Sequence, residues 1–448
     1  MIQPDPKKKK FSIESILSIF TECRSGEGAL ALLMTLNIFL ILTSYLLAKV
    51  LREPLILSGG GAEIKSYASA IQVILLVGIL RLYGWLVAKY DRRKLINYVT
   101  LFFVGCMIVF YLTLVTAGPW GGIVYFLWVG IFSLVIIAQF WSYANDIYSP
   151  EQGKRLFVLL AFGASAGGVF GPMLASVIID LVGLYQMLLV AAGILILSLF
   201  LTNYIENRMT KAKINSSDVK IRHDNEKVID KKGALKTVFR SKYLLMIAIM
   251  IMLLNWVNTN GEYVLGKIVE NTAQAITDSG GSELEVKQYI GKFYSEFFTI
   301  VGFAGLLLQL FAVSRIIKLL GIRVAIMILP CIALGGNLIM ALFPFLSFIR
   351  WSKTAENATD YSLNNTVRHI LFLPTTKEEK YKAKVAIDSF FVRAGDVLSA
   401  VVVFAGVTWL SFEITEFAIF NVCLVGLWVW LAFKIGKENR RLEQGTTE

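Results

Sequence analysis

Histidine, cysteine and charge are all scarce in this chain. The two histidines, His223 and His369, lie far apart and offer no metal-ligating constellation. The four cysteines, Cys23, Cys106, Cys331 and Cys423, form no Cys-x-x-Cys pair, so neither a disulfide framework nor a zinc site is expected. The glycine-rich stretch "SGGGAE", residues 58–63, lacks the Lys-Ser/Thr ending of a phosphate-binding loop and reads as a flexible turn. No nucleophile–base or metal set emerges, so an enzyme is not expected and no cofactor is implied. The most telling shortage is charge, at 17% of 448 residues. Soluble domains carry about a quarter.

Apolar residues fill the space. They make up 56% of the chain, and its mean hydropathy is +0.65. At roughly 20 apolar residues per crossing, lipid is the expected solvent. Twelve apolar runs can be drawn: 29–50, 66–88, 95–117, 120–146, 156–180, 183–204, 243–266, 290–314, 321–344, 346–372, 385–410 and 413–434. Counted alternately, the gaps on one side hold 31 Lys and Arg and those on the other hold four. Basic residues collect on cytoplasmic loops, so both termini are expected in the cytoplasm. The net charge of +12 is then orientation charge, and no nucleic-acid partner is called for. The expected organisation is a cytoplasmic amphipathic segment 1–28, a six-helix bundle 29–204, a charged cytoplasmic linker 205–242, a second bundle 243–434 and a tail 435–448. Residues 11–23 read as an amphipathic surface helix.

Charges inside the runs carry the functional expectation. An ionised side chain at the bilayer centre costs about 2.5–3.5 kcal/mol on insertion scales, so it faces a partner or a watery route. Lys353, Asn357, Asp360, Asn364 and Arg368 recur at helical spacing and form one stripe. It lines an aqueous pathway or locks helices through ion pairs. Lys384 with Asp388 and Arg393 with Asp396 can neutralise locally. Lys49, Arg52 and Lys267 lie towards the side that positive-inside orientation leaves poor in cations, which makes them functional candidates, with Asn258 and Glu262 close by. Gln139, Tyr143 and Asp146 share a face, ahead of Asn145 as well as Lys154 and Arg155 at a helix start. Gly163, Gly167 and Gly171 form a small-residue face for close helix packing.

Two resemblances follow. Twelve spans divided by a long central loop, with "GWLVAKYDRRKL" (84–95) between the second and third, resemble the major-facilitator architecture, in which two six-helix bundles rock about a midplane site. Asp91, Arg92 and Arg93 resemble its Asp-Arg-x-x-Arg stretch. Beyond that, "FWSYANDIYSPEQGKRLFVLLAFG", "LREPLILSGGGAE" and "SLNNTVRHILFLP…KYKAKVAIDSFFVRAGD" resemble segments of the bacterial and plastid ATP/ADP translocase family. That resemblance places the family's basic residues on Arg52, Lys154, Arg155, Arg368 and Arg393, and an acid on Glu53. The chain departs from it where Asn365–His369 replaces Asp-Pro-Thr-Lys-Glu and where Asp396 replaces a lysine.

The resulting expectation is an all-α, twelve-helix, multi-pass carrier in a bacterial inner membrane. It acts as a monomer and moves a small organic anion, ATP or ADP among the candidates, by alternating access. Lys49, Arg52, Lys154, Arg155, Arg368 and Arg393 would counter anionic groups. Tyr143, Asn145, Asn258, Glu262 and Asn364 would complete the binding set, and Asp360, Asp388 and Asp396 would serve coupling. A proton-coupled carrier of a neutral or zwitterionic solute, and a non-transporting scaffold or sensor, stand as alternatives.

Overall fold

In the computed structural model, residues 21, 23–24, 26–215, 231–376, 379, 383–384 and 386–445 are described. These residues are almost entirely helical. In chain order the helices are α1 (Gly28–Lys89), α2 (Arg92–Thr113), α3 (Gly118–Ile147), α4 (Pro150–Leu181), α5 (Met187–Asn215), α6 (Lys231–Arg240), α7 (Lys242–Asp278), α8 (Glu283–Leu307), α9 (Val313–Leu342), α10 (Leu346–Thr359), α11 (Asn365–Ile370), α12 (Val392–Trp409) and α13 (Ile414–Gly445). π-Helical turns at Leu308–Ala312, Asp360–Asn364 and Ile387–Phe391 join or precede several of them. Among the described residues, nine continuous helical stretches are long and apolar enough to cross a membrane.

Local sequence explains the boundaries. Before α4, Ser149 Oγ accepts from the Gln152 backbone N–H and Gln152 Oε1 accepts from the Ser149 N–H, with Pro150 opening the helix. Ser241 and Ser282 cap α7 and α8 in the simpler way. Two glycines break long helices. Gly61 in α1 (φ 78°, ψ 176°) and Gly321 in α9 (φ 73°, ψ 170°) adopt a conformation that a Cβ disfavours. Each break divides a stretch that the hydropathy pattern reads as two runs.

Some sequence expectations are corrected here. Residues 58–63 are helical on both sides of Gly61 and are not a flexible turn, and the Ala62 N–H donates to Glu270 at 3.1 Å. At the expected linker 205–242, the helix Met187–Asn215 runs on through residues 205–215 and Lys231–Arg240 forms a short helix; 216–230 lies outside the described residues, as does most of the expected surface helix 11–23, and neither bears on those expectations.

Three apolar cores organise the chain. One packs α1–α5 around Phe132, Phe103 and Leu160. A second packs α6, α7, α9, α11 and α13 around Trp428, Leu329 and Val367. The third joins the two halves and includes Ile56, Leu57 and Phe126 from the first, with Val264, Tyr294 and Phe297 from the second. Gly163, Gly167 and Gly171 seat α4 against α1, and a Cβ at Gly167 would lie 2.6 Å from the Phe39 carbonyl oxygen. The outward surface is greasy, with Phe102, Leu112, Leu181, Phe200 and Trp409 all more than 60% exposed. In water such a surface would aggregate, and in lipid it is the required one.

A charged cavity between the two halves as candidate functional site

The helix ends define two faces. The basic end carries Lys89, Arg92–Lys94, Lys154, Arg155, Arg315 and Lys318. The opposite end carries the connections at 114–117, 182–186, 279–282, 343–345 and 410–413. Between them, a cavity of about 260 Å3 opens where α1 and α3 face α7, α8, α10 and α12. Lys49, Arg52, Lys65, Ser66, Ser69 and Gln72 line it from α1, with Tyr45 and Phe126. Asn258, Thr259, Glu262, Tyr263, Phe298, Asn357, Tyr361, Arg393 and Asp396 line it from the second half.

The wall in the first half is a cation cluster around one buried acid. Glu53 (1% exposed) accepts from Arg52 Nε at 3.0 Å, and Lys65 Nζ lies 2.7 Å from its other oxygen. Arg52 also stacks on Phe126 at 4.7 Å, and Lys49 sits over Phe298 at 4.4 Å. In the second half, Lys353 is completely buried, 3.1 Å from Glu356 and donating to Asn258 Oδ1 at 2.8 Å. Gly261 makes room for it, since a Cβ there would lie 2.9 Å from Lys353 Nζ. Asn357 donates to Glu262 at 3.0 Å. Asp396 accepts from Asn255 (2.7 Å), Thr259 (3.0 Å) and Arg393 (3.2 Å).

The stripe from Lys353 to Arg368 therefore faces protein rather than lipid, but only in part does it face open space. Asn357 reaches the cavity. Asp360 and Asn364 bond each other at 2.7 Å in a π turn, and Arg368 pairs with Asp388 at 3.3 Å towards the basic end. Both readings of the stripe, pathway and lock, apply to different parts of it. Of the residues expected at the site, Lys49, Arg52, Asn258, Glu262, Arg393 and Asp396 line the cavity, whereas Asp360, Asn364, Arg368 and Asp388 lie beneath or below it.

Tyr143, Asn145, Lys154 and Arg155 lie elsewhere, at the basic end of the first half. The Tyr143 hydroxyl donates to the Thr202 carbonyl at 3.4 Å, Asn145 and Lys154 are exposed, and Arg155 holds Glu27 through two 3.0 Å contacts. That pair, with Gln152 and the Arg24 N–H also donating to Glu27, holds the Glu27 carboxyl down at about 2. Arg92 bridges Asp146 (3.2 Å) and Glu206 (2.9 Å), tying α2 to α3 and α5. The ion pairs at this end join elements of the first half to one another.

Sequence reasoning passed over Lys65, Glu356 and the ring walls, while Glu53 entered it only through the family resemblance. Lys65 carried a usable signal, because it too lies on the cation-poor side. The rings carried none, because phenylalanine and tyrosine are common throughout the chain.

The opposite end seals the cavity. Lys267 pairs with Glu63 at 2.9 Å, the Tyr263 hydroxyl donates to Glu63 at 3.2 Å, Lys292 pairs with Asp180 at 3.0 Å, and the Ser295 hydroxyl donates to the Pro172 carbonyl at 2.6 Å. Among the described residues, no hydrogen bond or ion pair joins the halves at the basic end.

A family model described as the Major Facilitator Superfamily matches residues 82–355, more than half of the chain. The chain belongs to the major facilitator superfamily. Within it, the chain is similar to "ADP,ATP carrier protein 3" of Rickettsia bellii, at 20% identity over 97% of this chain and 99% of that protein. It is also similar to "ADP,ATP carrier protein 2" of Chlamydia pneumoniae, at 18% over 89% and 87%. It is a divergent relative of these carriers. Among solved structures it shares its fold with a bacterial homologue of the iron transporter ferroportin in an inward-facing state (TM-score 0.64, 12% identity, 91% of this chain and 98% of that one). It shares it also with the nucleoside transporter NupG (TM-score 0.61, 14%, 91% and 98%). This major-facilitator chain is thus a multi-pass membrane protein whose role is transport rather than catalysis.

Proposed function

We propose that the protein is a secondary carrier that moves a solute bearing an anionic group by alternating access. The observation that carries this reading is the cavity itself. It lies between two halves whose polar contacts, among the described residues, join them at the end opposite the basic one, and three cations, Lys49, Arg52 and Lys65, face it from one wall. In this reading the stretches Gly28–Lys89 and Glu283–Leu342 supply two spans each, and with the polar α10–α11 segment and α2, α3, α4, α5, α7, α12 and α13 they make twelve spans in two bundles, 29–204 and 243–434. Both termini and the basic end lie in the cytoplasm, and the state described is open to the cytoplasm. One chain encloses the whole cavity, so a monomer suffices, and a bacterial inner membrane fits the charge pattern.

The carrier reading needs no resident cofactor. Solute binding neutralises cations held in a low-dielectric site, and this favours closing the basic end and loosening the Glu63–Lys267 seal. Nucleotides, named in the Rickettsia and Chlamydia relatives, are the first solutes to test. The Arg155–Glu27 and Arg368–Asp388 pairs would brace the basic end within each half rather than serve as phosphate ligands. Proteoliposomes loaded with an unlabelled anion and given labelled ATP, ADP or other organic anions should show saturable uptake that fails in Lys49→Gln and Arg52→Gln. Absence of uptake for every anion, by protein that melts normally, would refute the reading.

A further inference from the structure

The cavity walls carry opposite charge. On the first, three cations (Lys49, Arg52, Lys65) stand against one acid, Glu53. On the second, one cation, Arg393, lines the cavity with two acids, Glu262 and Asp396, while Lys353 and Glu356 are buried behind that wall. The two walls therefore differ in net charge, cationic on the first and acidic on the second.

Pairing sharpens the contrast. Arg52 and Lys65 share Glu53, and Arg393 is held by Asp396. Lys49 and Glu262 are different. Among the described residues, no carboxylate lies within 4.0 Å of Lys49 Nζ, which rests on the Phe298 ring. No cation lies within 4.0 Å of the Glu262 carboxylate, which accepts one hydrogen bond from the neutral Asn357 amide. The two side chains line the same cavity from opposite halves and do not reach each other. Charges kept away from partners beside apolar rings are costly unless a ligand completes them.

Building on the carrier reading above, we propose that the cargo is zwitterionic: its anionic group is taken by Lys49 beside Arg52, and a protonated amine is taken by Glu262. A polyanion without a cationic group would meet like charge at Glu262. The Tyr263 and Tyr361 rings flank the acid wall and suit an ammonium group. Because the two charged groups belong to opposite halves, only a solute carrying both bridges them. Such a solute binds the closing state better than the open one, which differential affinity requires of any cargo that drives closure.

The test uses the purified full-length protein in nanodiscs. Melting is followed with L-amino acids and dipeptides, with the N-acetyl and C-terminal amide derivative of each, and with ATP, ADP and phosphate. Zwitterions should raise the melting temperature, and either derivative should bind at least roughly tenfold more weakly, a loss of about 1.4 kcal/mol. In Glu262→Gln the N-acetyl derivative should bind as well as the parent, and in Lys49→Gln the amide derivative should. Glu262→Asp, which keeps the charge, should keep the demand for an amine and serves if Glu262→Gln fails to fold. Stabilisation by polyanions alone, or by no zwitterion, would overturn the inference. So would a demand for the amine that survives Glu262→Gln together with lost pH dependence of uptake, which would assign Glu262 to a proton. Uptake of anions indifferent to an amine would leave the carrier reading standing and sink only this one.

Discussion

The two halves manage polar groups in different ways. Each has a neutral hydrogen-bonded knot at its centre. In the first, Asn37 donates to Thr202 (2.7 Å) and accepts from Ser198 (2.6 Å). In the second, Asn260 donates to Asn421 (3.0 Å), which donates to Asn337 (3.1 Å). There the likeness ends. The first half concentrates its cavity charges on one helix, α1, and its described helices carry no π turn. The second half spreads buried charge over α7, α10, the following π turn and α12, and all three described π turns belong to it. π turns displace the regular hydrogen-bond ladder and recur at functional sites. The contrast is that of a stiff cation platform facing a polar, irregular and energetically costly partner wall.

The strongest way to break this comparison is to remove the costly element. Lys353→Ala leaves Glu356 buried beside Glu262 and Asp360, and should cost about 3–5 kcal/mol, read as a fall in melting temperature and in folded yield. Adding Glu356→Gln should restore most of it. If Lys353→Ala melts like the parent, the second half is not the strained one. On the platform side, Lys49→Gln should lower uptake of the transported solute roughly 10- to 100-fold, since charge-assisted contacts are worth about 1.5–3 kcal/mol. Its melting should stay within about 1 kcal/mol of the parent, because Lys49 forms no ion pair within the described residues.

Packing of the platform gives a smaller effect. Gly167→Ala pushes a methyl group against the Phe39 carbonyl and should destabilise by about 1–3 kcal/mol. Gly168→Ala, one residue away with open space around it, should cost less. The smallest effect concerns pH. Glu27 has its carboxyl lowered from 4.5 to about 2, chiefly by the Arg155 hydrogen bonds. Its contribution, about 1 kcal/mol or less, is complete above pH 4.5 and lost as pH falls through 2. Glu27→Gln should flatten that acid limb of a melting-versus-pH curve and leave the neutral region little changed.

Much of this architecture was legible because lipid imposes simple rules. Long apolar runs mark the membrane-crossing helices without any tertiary knowledge. Lys49, Arg52, Glu262 and Asp396 were legible for the same reason, as charges where hydrocarbon forbids them. The complete burial of Lys353 against Asn258 and the pairing of Lys65 with Glu53 were not, because both depend on how residues far apart in the chain are brought together. Tyr143, Lys154 and Arg155 stand away from the cavity, which their sequence pattern did not reveal, because a helix start rich in cations can hold an internal acid, as Arg155 holds Glu27, as readily as it can hold a ligand. The glycine run 58–63 misled because a single break in an otherwise helical segment leaves the same composition as an open turn.

The central claim is that these charges border a wet route between the halves, reached from the basic end. Ser69→Cys, in a background with Cys23, Cys106, Cys331 and Cys423 replaced by serine or alanine, places a thiol on the cavity wall. In vesicles of known orientation, a membrane-impermeant maleimide added at the basic face should label that thiol readily, and the same reagent at the opposite face should not. Labelling from neither face, at the rate of the cysteine-free background, would contradict the account.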